Sequence, residues 1–150
     1  MMLEDLAPGM VFHGGPITVS EEEIIAFARL YDPQPFHTDP LAAVAHPVFQ
    51  GHCASGWHTA ALSMRMMVAA AGHFGWGVVG GGGGELSWTR PVRPGDTLRL
   101  EAEVQEVTPS RSRPDRGTVI MRNRTFNQRD EEVQVFGVRL VVPRRPHGAG

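Results

Sequence analysis

Asp32 and His37 stand five residues apart with Pro33 and Pro35 between them. A carboxylate and an imidazole on a short, proline-stiffened segment could both touch one water molecule. His is also the side chain best poised to exchange a proton near neutral pH. Such a pair supports general acid–base chemistry, in which one group polarises water and another protonates a carbon. Spacing alone leaves a plainer alternative open: Asp32 ends a helix and His37 is a loop histidine. Further on, Ser55-Gly56 opens an apolar run that reads as a helix. The backbone N–H groups of a first helical turn are unpaired, and the helix dipole favours negative charge beside them. Ser55 itself fits the role of plain N-cap equally well.

Other signals carry less. Gly75-Trp76-Gly77-Val78-Val79-Gly80 matches the GxGxxG string, but it follows a helical pattern and leads into glycines and a strand. Dinucleotide binding needs the order strand, turn, helix, so no nucleotide cofactor is expected. His46, His52, His58 and His73, even with Cys53, match no zinc-ligand spacing, so no metal is expected. His52 and His58 read as pocket-lining or locally hydrogen-bonded residues. Ser55 lacks the preceding glycine of a nucleophile elbow. Cys53, the one cysteine, reads as a small buried hydrophobe and excludes an intrachain disulfide.

The elements that must position these residues follow from periodicity. A first short strand is expected near Val11–Phe12. Ser20 and Glu23 form a capping box for a helix carrying Ile24, Phe27, Ala28 and Tyr31, which Pro33 stops at Asp32. Asp32 to His37 is then expected to be extended and stiff. Asp39-Pro40 restarts a short helix that ends before Pro47. The helix from Ser55 to about Ala71, closing at Gly72, is apolar on nearly every face and should be enclosed. Gly80–Gly84 reads as a flexible connection, with strands from Glu85 onward. Leu98, Leu100, Ala102 and Val104 alternate with polar residues in a half-buried strand behind the turn Pro94-Gly95-Asp96. Thr118–Phe126 and Val133–Val142 follow; the alternation in the former is broken and does not assign its faces. One buried helix followed by antiparallel strands is an α+β plan, a curled sheet wrapped around a central helix.

At 150 residues the chain is one domain, 1–150, with 143–150 expected as a frayed tail. Apolar content is 41% and charged content 20%, which argues against disorder. A net charge of −2 gives no reason to expect nucleic acid or an anionic membrane as partner. Every cationic side chain is Arg, which excludes lysine Schiff-base chemistry. No secretory signal or bilayer-length apolar stretch is visible, so a cytoplasmic location is the expectation.

Three blocks together resemble a known family. Tyr31-Asp32-Pro33-Gln34-Pro35-Phe36-His37-Thr38-Asp39 is similar to the signature of MaoC-like dehydratases and (R)-specific enoyl-CoA hydratases. Phe49-Gln50-Gly51-His52-Cys53-Ala54-Ser55-Gly56-Trp57-His58 resembles the family's second block, and Trp88-Thr89-Arg90-Pro91-Val92-Arg93-Pro94-Gly95-Asp96-Thr97-Leu98 a third. They occur in the family's order, over roughly residues 5 to 143. The resemblance implies a single hot-dog domain and reversible hydration of a trans-2-enoyl-CoA to the (R)-3-hydroxyacyl-CoA. Asp32 and His37 would form the dyad, the Gly56 N–H would hold the thioester oxygen, and Ser55 would orient Asp32 or the water. No cofactor is implied beyond the coenzyme A or acyl-carrier portion of the substrate. A homodimer or higher oligomer is expected, because a single curled sheet leaves an edge strand to be covered. The family's usual Asn is replaced here by Gln34. A hot-dog thioesterase and a non-catalytic acyl-thioester-binding protein remain the alternatives.

Overall fold

A computed structural model describes residues 1–71 and 73–146. After a 3-10 turn at Leu3–Asp5, β1 spans Val11–Thr18, α1 Glu21–Tyr31, α2 Pro35–Thr38, α3 Pro40–Val44 and α4 Gly56–Ala71. Then follow β2 Val79–Trp88, β3 Thr97–Pro109, β4 Arg116–Phe126 and β5 Glu132–Pro143. The strands form one antiparallel sheet in the order β1-β3-β4-β5-β2, and it curls around α4 as the hot-dog plan requires.

The inward face of β3 is the predicted one: Leu98, Leu100, Ala102 and Val104 are all buried. On β4 the inward positions include Val119 and Met121 but also Asn123 and Thr125. Those two polar residues broke the hydrophobic alternation in the sequence. They are tolerated because Thr125 Oγ1 bonds Ser63 Oγ at 2.6 Å and the Asn123 amide donates to Met67 Sδ at 3.1 Å. Leu62, Met66, Met67 and Ala71 of α4 complete the core.

Several expectations need correction. The first strand continues to Thr18, because Val11–Gly14 and Ile17–Thr18 pair with β3 around a break in register. Gly80–Gly84 is no loose connection. It belongs to β2, held by pairing to β5 with two register shifts. The segment between Asp32 and His37 is not extended throughout, since α2 begins at Pro35. Proline suits a first helical turn, where its missing N–H removes nothing. The chain beyond β5 is tied rather than frayed at Arg144 and Arg145, whose side chains reach Glu4 and Asp5. Residues 147–150 of the expected tail, and the Gly72 helix stop, lie outside the described residues.

The central helix is not wholly enclosed. Trp57, Met64 and Val68 are 58%, 39% and 48% exposed along one side of α4, and Trp57 meets Trp88 of the edge strand β2. Among the described residues no helix is long and apolar enough to cross a membrane.

The seat of α4 is set where β1 meets it. A Cβ built on Gly14 would come within 2.7 Å of the Met66 carbonyl oxygen, a backbone atom that cannot swing aside. Gly14→Ala should therefore destabilise the fold by about 1–3 kcal/mol, the usual cost of overpacking. A urea midpoint equal to that of the unsubstituted protein would contradict this contact.

Candidate active site

Asp32 lies at the C-cap of α1, where its N–H donates to the Ala28 carbonyl at 2.9 Å. The plain capping role proposed for it is thus real, but its side chain does something else. Asp32 Oδ2 sits 3.3 Å from Nε2 of His37, which is 5% exposed. The other imidazole nitrogen, Nδ1, donates to the Cys53 carbonyl at 2.7 Å. A carbonyl can only accept, so Nδ1 keeps its hydrogen and Nε2 is the nitrogen left to exchange a proton beside Asp32.

The carboxylate is tuned by opposing effects. Burial by itself would raise the Asp32 pKa, but hydrogen bonds from Gln34 and Ser55 and the charge of His37 outweigh it. The net result is a carboxyl below its ordinary 3.8, ionised at neutral pH. Its stabilising contribution is complete above that ordinary value and is lost as pH falls through the lowered one.

Ser55 and Gly56 open α4. Ser55 is fully buried and its Oγ accepts from the Trp57 N–H at 3.3 Å, so it caps the helix while also bearing on Asp32. The Gly56 N–H, first in the helix, makes no hydrogen bond among the described residues, and Gly56 lines the pocket. That pocket holds about 490 Å³ and also contains Asp32 and His37. Its remaining wall is largely aromatic and apolar, with Tyr31, Phe36, Phe49, Trp57, Trp88 and Val92. Of the four residues singled out in the sequence, three face the cavity and Ser55 supports them from behind.

Sequence reasoning missed the side chains that hold this arrangement. Arg93 donates through Nη1 to the Gly51 and His52 carbonyls at 2.9 and 3.2 Å, and through Nη2 to Phe49 O at 2.5 Å. It therefore pins the loop whose next carbonyl, that of Cys53, receives His37. Trp88 is held by Gln134, whose Oε1 accepts from indole Nε1 at 3.0 Å. Fully buried Gln134 in turn donates to Ser63 Oγ at 3.1 Å. Arg93 lay in the third block as one of several arginines, and a Gln in a strand carries no signal of a partner on a helix.

Neither His52 nor His58 lines the pocket. His52 Nε2 donates to the His37 carbonyl at 2.6 Å, while His58 stacks on Phe27 at 4.6 Å between ring centroids. Burial pushes the Cys53 thiol up to about 11, with the Arg93 charge opposing, so it stays a protonated wall residue. No group of three or more His, Cys, Asp or Glu among the described residues is placed to hold a metal ion.

A curled sheet around one helix, with Asp32 and His37 beside the helix N-terminus, defines a hot-dog domain. The model of the MaoC like domain matches residues 5–124, and the chain belongs to that family. The uncharacterized protein YdeM of Bacillus subtilis (strain 168) is 33% identical over 143 residues, which is 95% of this chain and 97% of that one. The MaoC-like dehydratase from Rhodospirillum rubrum is 49% identical, with a TM-score of 0.92 over 97% of this chain and 99% of its own. R-hydratase PhaJ1 from Pseudomonas aeruginosa shares the fold at 24% identity and a TM-score of 0.75, covering 99% of this chain and 96% of its own.

Gly56 is confined from outside as well. A Cβ built there would fall 2.4 Å from the Trp88 ring, which packs directly on the helix start. The ring is fixed by Gln134 and meets Trp57 edge-on at 5.1 Å, so it has little room to retreat. Gly56→Ala should fold yet displace Trp88, which a change in tryptophan fluorescence would report. Unchanged emission would show that the ring has not moved and would contradict this contact.

Proposed function

We propose that this chain catalyses reversible hydration of trans-2-enoyl-CoA, or of the matching acyl-carrier thioester, to the (R)-3-hydroxyacyl thioester. The observation that carries this reading is the 3.3 Å approach of Asp32 Oδ2 and His37 Nε2 within a pocket that Gly56, at the start of α4, also lines. With Asp32 ionised and Nδ1 of His37 already donating, both facing atoms are acceptors. A water between them gives one hydrogen to each and turns its lone pair toward the substrate. In hydration the water oxygen bonds to C3 while one of its protons passes to the dyad. The electron pair of the C2–C3 double bond moves toward the thioester carbonyl, whose oxygen gains negative charge. The dyad then delivers the proton to C2, so one water is added and the pair ends as it began. Dehydration is the same path reversed.

The charge on the thioester oxygen is the costly feature, and it forms where the Gly56 N–H and the positive end of α4 would receive it. A donor of this kind is typically worth about 2.7–4 kcal/mol of barrier. The aromatic wall suits an acyl chain, and desolvation of the cavity strengthens each of these electrostatic contacts.

Removing either member of the pair should stop the proton transfers. Asp32→Asn and His37→Gln should each lower turnover by about 10²–10⁴-fold, the usual worth of general acid–base catalysis. The double variant should be little worse than either single one, because the two act as a unit. The assay is hydration of a short enoyl-CoA with thiol release recorded in parallel and folding checked by circular dichroism. A folded single variant at near-normal rate would exclude the dyad. Thiol release that persisted in both would favour a thioesterase.

We further propose a homodimer through β2. This strand forms one edge of the sheet, and its Trp88 meets Trp57, the first of three exposed apolar residues of α4 that continue through Met64 and Val68. Pairing two such edges across a two-fold covers both features at once. Light scattering should give the mass of a dimer at micromolar concentration; a monomer there would contradict it.

A further inference from the structure

The two carboxylate oxygens of Asp32 have different surroundings. Oδ2 faces His37, whereas Oδ1 lies 2.6 Å from the side-chain amide nitrogen of Gln34. We propose that Gln34 is a positioning residue: its amide occupies Oδ1, fixes the rotation of the carboxylate and so leaves Oδ2 as the oxygen presented to His37 and the reacting water. The proposal rests on the hydratase reading for its meaning in catalysis, but the contact itself can be tested without any turnover.

The backbone of Gln34 is bound to both members of the pair. Its N–H donates to the Asp32 carbonyl at 2.8 Å across Pro33. Its carbonyl accepts from the His37 N–H at 2.9 Å and the Thr38 N–H at 3.0 Å, opening α2. The position of the Gln34 Cα relative to both catalytic side chains is therefore set before its own side chain is placed. From that fixed origin the side chain must span the gap to Oδ1. An Asn is shorter by one C–C bond of about 1.5 Å, so the same backbone would carry its amide to a different point relative to Oδ1. The residue in which this chain departs from the family signature is thus the one whose length matters to the carboxylate.

The amide has a single useful polarity here. An ionised carboxylate offers acceptors only, so Gln34 must turn its NH2 and not its oxygen toward Asp32. A donor that stabilises the anion lowers its pKa, in line with the direction found for Asp32. The other groups acting on Asp32 are His37 from α2 and the Ser55 hydroxyl from the loop before α4. The neighbouring Cys53 thiol, pushed up to about 11, carries no charge there at neutral pH. Gln34 is itself exposed, so changing it opens no cavity in the core.

The experiment compares Gln34→Leu and Gln34→Glu with the unsubstituted protein and with Asp32→Asn. The Asp32 carboxyl is followed by 13C NMR across acidic pH, and hydration of a short enoyl-CoA is followed across pH 4–9. Loss of the donor should move the Asp32 titration to higher pH in Gln34→Leu. It should move further in Gln34→Glu, where a second carboxylate faces the first. The kcat of Gln34→Leu should fall about tenfold, as for one hydrogen bond to a charged group, with KM little changed and the acid limb of the rate profile moved up. An Asp32 titration unmoved in folded Gln34→Leu overturns the proposal, as does a loss of kcat without movement of the acid limb. Full activity in Asp32→Asn would instead exclude the Asp32–His37 dyad, and absence of hydration by the unsubstituted protein would sink the hydratase reading, while the NMR titration would still decide whether Gln34 holds the carboxylate.

Discussion

The hydrogen bond from His37 Nδ1 to the Cys53 carbonyl joins two segments that the chain keeps well apart, and the site geometry depends on it. It fixes the imidazole tautomer, turns Nε2 toward Asp32 and ties α2 to the loop leading into α4. Because the acceptor is a backbone atom, no side chain can be exchanged to adjust it; the loop as a whole must be placed correctly. Arg93 does this from the turn before β3 by taking three carbonyls of the loop, and its own N–H is held by Asp96 Oδ2 at 2.8 Å. The sheet thus reaches His37 through one guanidinium and one peptide group.

Opposite this clasp, the carboxylate is held mostly by short-range contacts. Asp32 and Gln34 are neighbours in a tight turn, and only Ser55 and His37 come from elsewhere in sequence. The pair therefore combines a histidine set by tertiary structure with an aspartate set mostly by local structure. Such a division lets α1 and its proline turn be built first, with the proton-exchange geometry completed when α4 docks.

Much of this was legible in the sequence because the responsible signals are local. Prolines, an Asp cap and apolar periodicity marked α1, α3 and α4, and alternation marked β3 with its faces. Where reading failed, a long-range partner decided. Gly80–Gly84 has no strand propensity of its own and is a strand because β5 pairs with it. Asn123 and Thr125 point inward against their polarity because Met67 and Ser63 of α4 meet them. The closeness of Asp32 and His37 was anticipated from their spacing together with two further blocks, yet the contacts of Arg93 and Gln134 were not, since nothing near them in sequence states what they will touch.

The buried polar chain from Trp88 through Gln134 to Ser63 and Thr125 has a consequence for how the helix is indexed within the sheet. Leu, Met and Val side chains give α4 its grip on the core, but an oily contact tolerates a small slide or roll at modest cost. The two buried hydrogen bonds that join Ser63 to Gln134 and Thr125 do not, because each displaced partner would be left without water or protein to replace the other. They act as a notch at a set depth. The helix N-terminus is thereby held at one distance from Asp32 and His37, and a neutral-looking exchange at Thr125, on a strand remote from the pocket, would be felt as an error of alignment at Gly56.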